Sequence, residues 1–190
     1  SKSGELIEKA CNDSPGGMSA IIGIDSSSGK EVCEETGTYL SNINTSNQII
    51  IAGKKENLVN AMDLASRLGA KKAIPLPVAG AFHSALMSSA QQELNSVIDD
   101  ANFEDAVVPI VANTSAEAIT DKGSLRDELK TQLQNCVLWS DSINYMIEEK
   151  VETFYEIGPG SVLSGMLKRI DSNLNVKNIG NYNQVLDYVE

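Results

Sequence analysis

A chain of 190 residues, 42 % of them hydrophobic, makes one domain or one and a fraction, with a real core. Its net charge of −11 argues against a nucleic-acid partner; the basic pairs Lys54-Lys55, Lys71-Lys72 and Lys168-Arg169 read as solvated surface or as a local docking patch for an acidic partner. No apolar run approaches the ~20 residues that span a bilayer, so no membrane partner is expected.

The beginning of the chain, Ser1-Lys2-Ser3-Gly4, lacks an initiator methionine and a signal-peptide core, and it reads as a cut end. Cys11, Cys33 and Cys136 lie far apart with no C-x-x-C, which argues against a disulfide framework and fits a reducing cytoplasm. With one histidine in the chain, no metal site is expected either.

Gly16-Gly17 introduces a strand over 18–24, and a weak helix follows over 31–35. Extended runs at 39–44 and 48–52, separated by Thr45-Ser46-Asn47, read as a hairpin. Leu58, Ala61, Met62, Ala65 and Leu68 line one face of a helix over 56–68, stopped by Gly69. A strand over 73–78 completes a β-α-β-β-α-β order, the ferredoxin-like pattern, placed at 16–78. Met87, Ala90, Leu94, Val97 and Ala101 then predict a long helix directly after His83. Further on come a strand over 107–112, helices over 125–133 and 143–149, a strand over 153–157 and a helix over 162–170. A strand over 176–179 and a short helix from Gln184 end the chain. This alternation predicts a mainly parallel sheet in the second half, with too few strands to close a doubly wound sheet.

His83 is the one imidazole available for proton transfer near neutral pH. It sits where an extended segment runs into a helix, a common place for reactive side chains in α/β folds. A lone histidine is also often a satisfied structural residue. No G-x-S-x-G elbow occurs to supply its client. Gly17-Met18-Ser19-Ala20-Ile21 lacks the second glycine, and Ser84 reads as the cap of the following helix. On the residues alone, the chain offers a base without a nucleophile.

Six segments, in order, resemble motifs of the malonyl-CoA:acyl carrier protein transacylases. They are Val78-Ala79-Gly80-Ala81-Phe82-His83-Ser84-Ala85-Leu86-Met87, Gly16 to Gly23, Asn42 to Gly53, Val111-Ala112-Asn113-Thr114, Gln132 to Trp139 (with Cys136 where proline is usual) and Tyr155 to Leu163. The resemblance covers essentially the whole chain. It implies an α/β fold: a ferredoxin-like subdomain at 16–78, with 1–15 and 79–190 forming the C-terminal part of an α/β-hydrolase-like parallel-sheet domain. It also implies a missing N-terminal segment of the same enzyme. That segment holds the oxyanion loop and the serine elbow, and the family's substrate-carboxylate arginine falls where Ser3 stands, before a helix fitted by Gly4 to Ala10.

By the resemblance, His83 is the general base of a ping-pong acyl transfer through an acyl-serine, of fatty-acid biosynthesis. A carbonyl oxygen at Gln132 or its neighbour orients the imidazole. Phe82 narrows the acyl pocket; in related polyketide acyltransferases A-F-H goes with malonyl and A-S-H with methylmalonyl. Asn42, Asn44 and Asn113 line the thioester cleft, or else act as local backbone caps. Malonyl-CoA and acyl carrier protein are the implied partners, with the coenzyme A thioester as substrate and no cofactor. Gly158-Pro159-Gly160 before a helix reads as an anion site or, preferably, a structural turn. Two other readings remain: a truncated, non-catalytic partner-binding module, and a serine-type hydrolase completed by another chain.

Overall fold

The strand Gly17–Ile22 (β1) is apolar on both faces, and the computed structural model, which describes residues 15–186, buries both. The readings at Ser3, Gly4 to Ala10 and Cys11 lie outside the described residues. Contacts divide the chain into two compact units, one running to Ser142 and the other Ile143–Glu190.

In the first unit, Asp25 caps the helix Ser26–Thr36 (α1) by accepting from Ser28 N at 2.8 Å, and Gly37 ends it in the left-handed region at φ 64°. The helix therefore starts five residues before the expected 31–35, because the serine run that resembles a turn is the capped first turn. The strands Tyr39–Thr45 (β2) and Gln48–Gly53 (β3) form the expected hairpin. Lys55–Arg67 (α2) and Lys72–Pro75 (β4) follow. The four strands lie in the order β2-β3-β1-β4, with β1 antiparallel to both β3 and β4, which is ferredoxin-like topology. Strand β4 stops before the expected Val78: Leu76 N still donates to Met18 O, and then Val78 N turns back onto Leu76 O.

The period of two splits the sheet's side chains between two cores. Ile21, Ile49 and Ile51 pack with Val32, Cys33, Leu58, Ala61 and Ala65 beneath α1 and α2. Met18, Ala20, Ile50 and Ala52 face the other way and are covered by Ala81, Leu76, Phe82 and Leu86. The segment after β4 is thus the lid of the sheet's second face.

A 3₁₀ turn, Ala85–Met87, separates His83 from the helix Ser88–Asp100 (α3), so the helix does not follow the histidine directly. The expected strand over 107–112 shrinks to Ile110–Val111 (β5), paired antiparallel with Ala118–Ile119 (β6). The chain reverses between them through Ala116, whose φ is 58°, leaving Val107, Val108 and Ile110 exposed. Asp121 then caps Lys122–Thr131 (α4), and Trp139–Glu148 (α5) crosses the boundary between the units.

In the second unit, Thr153–Ile157 (β7) pairs parallel with Asn175–Ile179 (β8), joined through Val162–Ile170 (α6); Tyr182–Leu186 (α7) follows. Among the described residues, then, the second half makes one antiparallel and one parallel ladder, each of two strands, in place of a mainly parallel sheet. Tight turns favour local antiparallel pairing, and only the stretch with a helical crossover pairs in parallel. Ile157 and Val162 are exposed in this unit.

Ile21 is fully buried at the centre of the first core. Replacing it with alanine leaves a cavity under α1 and α2 and should cost about 2 to 5 kcal/mol. Urea unfolding followed by circular dichroism measures this; a loss below about 1 kcal/mol would mean that the core collapses around the gap.

Candidate active site

His83 stands on the lid of the second face, and its backbone is held from three sides. Ala81 is fully buried, and a Cβ added at Gly16 would lie 2.7 Å from the Ala81 Cβ and 3.0 Å from Gly53 O. Only glycine at 16 lets the lid approach the sheet this closely. Ser41 Oγ on β2 lies 2.9 Å from the Phe82 carbonyl and 3.0 Å from Asn42 Oδ1; its one proton serves one acceptor at a time. On the other side Ser84, buried, donates to Ala81 O and accepts from Leu86 N at 3.3 Å. Between these anchors His83 takes φ 57°, a left-handed conformation that is uncommon outside glycine and persists where the surroundings impose it.

The imidazole is half-buried, and its Nδ1 lies 2.8 Å from the main-chain carbonyl of Gln132. A carbonyl only accepts, so Nδ1 carries the proton in the neutral ring and Nε2 keeps the lone pair. That is the arrangement of a base with an orienting partner. The oxygen belongs to Gln132's backbone, which any residue type supplies.

The lid and β2 are joined to the other named residues through the segment after α4. Val137 N donates to Ser41 O at 2.8 Å and Ile43 N to Val137 O at 2.9 Å, a parallel bridge at Asn42. Leu138 N donates to Asn113 O at 2.8 Å. Thr114 N and Oγ1 both donate to the Glu128 carboxylate on α4. Asn113 and Gln132 share the wall of a pocket of about 280 Å³ with Phe103, Ile110 and Leu129. Asn44 is buried on β2, and the Phe82 ring packs on both the sheet and Met87, Ala90 and Leu133. Ser41 was not legible as part of this cluster; the one signal was a small hydroxyl on an edge strand beside Asn42.

Ser84 is engaged as a cap. Cys33 and Cys136 are free thiols, and burial pushes Cys136 up to about 11 and Cys33 upward. Neither is a thiolate at neutral pH. In the second unit, the helix start after Gly158-Pro159-Gly160 already has an anion: Glu156 accepts from Leu163 N at 3.0 Å and from Ser164 N at 2.8 Å. The Ser164 hydroxyl, foremost among these donors, holds its carboxyl below the usual range. The loop is a turn with a built-in cap. Among the described residues no three His, Cys, Asp or Glu side chains converge on a metal position, and no helix is long and apolar enough to cross a membrane.

No family model matches the chain. It is 42 % identical over 178 residues to the malonyl CoA-acyl carrier protein transacylase of Bacillus subtilis, covering 91 % of this chain and 56 % of that protein. With the transacylase of Escherichia coli K12 the identity is 39 % over 175 residues, covering 90 % of this chain and 57 % of that protein. The crystal structure of an acyl carrier protein S-malonyltransferase from Vibrio cholerae superposes with a TM-score of 0.91 at 33 % identity, over 98 % of this chain and 62 % of that one. A malonyl-transacylase in complex with its type II polyketide acyl carrier protein superposes at 0.92 and 32 % identity, over 97 % of this chain and 61 % of that one. The chain thus spans a little over half the length of the curated relatives it matches.

With burial pushing its thiol up to about 11, Cys136 should react with iodoacetamide at pH 7.5 about 10-fold more slowly than a free cysteine, or slower still, since the smaller thiolate fraction is only partly offset by a more nucleophilic thiolate. Peptide mass spectrometry over a time course reads this, and labelling at the free-cysteine rate would reopen Cys136 as a nucleophile.

Proposed function

We propose that this chain, similar in sequence and in fold to the malonyl-CoA:acyl carrier protein transacylases, carries the general base of that acyl transfer. The observation that supports it most is the 2.8 Å contact from His83 Nδ1 to the Gln132 carbonyl, which leaves Nε2 as the proton acceptor. No G-x-S-x-G elbow occurs in the 190 residues, so the nucleophilic serine comes from outside them. The missing N-terminal segment of the same enzyme is its proposed source.

In the first half-reaction the serine oxygen attacks the malonyl thioester carbonyl, and His83 Nε2 takes the hydroxyl proton. The carbon–sulfur bond breaks, the imidazolium returns the proton to the coenzyme A sulfur, and malonyl-serine remains. In the second, the carrier protein's phosphopantetheine thiol gives its proton to Nε2 and attacks the acyl-serine. The serine oxygen leaves and recovers that proton. The Gln132 carbonyl stabilises the imidazolium in both halves. Asn42, Asn44 and Asn113 are the polar groups proposed to face the thioester, with Phe82 narrowing the acyl pocket. The thioester arrives as substrate and no cofactor takes part. A cytoplasmic setting fits the two free thiols.

The pure 190-residue chain should move no malonyl group. Joined with the serine-bearing segment of a relative, it should transfer malonyl to carrier protein, and His83→Ala should lower kcat/KM by about 10² to 10⁴. A folded alanine variant with full activity would remove His83 from the mechanism. Transfer to water alone would favour the hydrolase reading, and no turnover with any added segment the partner-binding one.

Phe82→Ser in that assembly should shift the ratio of kcat/KM values from malonyl toward methylmalonyl by roughly 10- to 200-fold at most, the worth of about one methyl group. An unchanged ratio would confine the ring to packing between the sheet and α3.

A further inference from the structure

Gln91 is a polar side chain on the apolar face of α3, four residues after Met87, and it is 0 % exposed. It is the most deeply buried amide near the site, and all of its bonding capacity within reach is engaged. Nε2 donates to Leu129 O at 3.1 Å and to Asn95 Oδ1 at 2.8 Å, and Oε1 accepts from Leu133 N at 3.0 Å. The two backbone partners are a matched pair. In a continuing helix, Leu133 N would donate to Leu129 O. The last helical bond of α4 is Gln132 N to Glu128 O, at 3.0 Å. One residue later the side-chain amide of Gln91 is inserted between donor and acceptor, satisfying both while holding them apart.

Gln132 is the residue immediately before Leu133, inside the turn that those partners bracket. With the ladder opened after it, Gln134 N turns back to Thr131 O at 3.1 Å, and the chain leaves the helix axis. Gln132 itself keeps helical angles, φ −58° and ψ −41°, so its carbonyl still points along the axis, and with the helix ended beyond it the oxygen accepts from His83 Nδ1. We propose that Gln91 is a positioning residue for His83: by replacing the Leu129–Leu133 backbone bond with its own amide, it terminates α4 where the Gln132 carbonyl meets the imidazole and fixes the Nδ1–H tautomer. Gln91 touches no reacting atom and acts through Gln132.

The inference rests on reading His83 as the base, yet the two fail separately. The role of His83 is tested by acyl transfer, whereas Gln91 is tested by the imidazole's tautomer, which is observable without turnover. The chain holds one histidine, so ¹⁵N-histidine labelling gives a single ring, whether the chain is alone or joined to the serine-bearing segment. Long-range ¹H–¹⁵N spectra above the imidazole titration should show Nδ1–H as the dominant form in the unsubstituted protein.

Gln91→Met keeps the length and removes all three bonds, the two to the backbone of residues 129 and 133 among them. The Nε2–H form that an unconstrained histidine favours should then appear, making the Nδ1–H dominance disappear. In the joined enzyme kcat should fall about 3- to 10-fold, the worth of one neutral hydrogen bond, with KM for malonyl-CoA unchanged. Where the methionine variant does not fold, Gln91→Asn serves, since its amide is one methylene too short to bridge both partners. A merely structural Gln91 would lower the melting temperature and leave the tautomer alone. The proposal is overturned if the unsubstituted ring carries its proton on Nε2, or if either folded variant keeps the Nδ1–H pattern. Failure of both variants to fold overturns it as well, because Gln91 is then a core residue.

Discussion

Ala20 and Ile21 are consecutive residues of β1 whose side chains point to opposite faces of the sheet, and both are buried. A four-stranded sheet needs cover on each face that is apolar. The helices α1 and α2 cover one. The other is covered by the segment leaving β4, with Ala81, Leu76, Phe82 and Leu86 set against Met18, Ala20, Ile50 and Ala52. That segment is short and cannot wander without exposing the sheet. The residue that follows Phe82 is the histidine, so burial of its neighbours holds the backbone of the candidate base against the sheet.

Polar groups then set its orientation. Ser41 Oγ, 2.9 Å from the Phe82 carbonyl, and Ser84, donating to Ala81 O, bring hydroxyls to the backbone beside the histidine. With both neighbours tied, His83 is left in a left-handed conformation and its ring is directed at the end of α4. Packing supplies position at low specificity, and hydrogen bonds supply direction. The two kinds of constraint meet at Phe82, whose ring belongs to two apolar clusters and whose carbonyl belongs to the serine network.

The same economy explains what the remaining nucleophile-like groups do. Ser84 has its hydroxyl committed to the turn it caps. Cys136 sits against β2, where desolvation disfavours the thiolate. Glu156 fills the helix start after the glycine turn, so the positive end of α6 meets a carboxylate from within its own unit. Each of these residues, read by type, invites a catalytic or binding role, and each is consumed locally by the fold.

The sequence by itself determined the ferredoxin-like order of elements, the hairpin at Thr45-Ser46-Asn47 and the identity of His83 as the one imidazole. These rest on periodicity, turn chemistry and composition, which are local. The capped start of α1 escaped it, because three serines look like a turn until Asp25 is seen to accept from Ser28. The antiparallel pairing of Ile110–Val111 also escaped it, because an apolar run does not say which strand it meets. The resemblance named Gln132 or a neighbour, but only the folded chain shows that the oxygen is a backbone one, brought from 49 residues away, and that Gln91 is wedged into the helix end beside it. Such contacts join segments far apart in the chain through groups every residue carries, so no pattern of side-chain types records them; they exist only once packing has closed the distance.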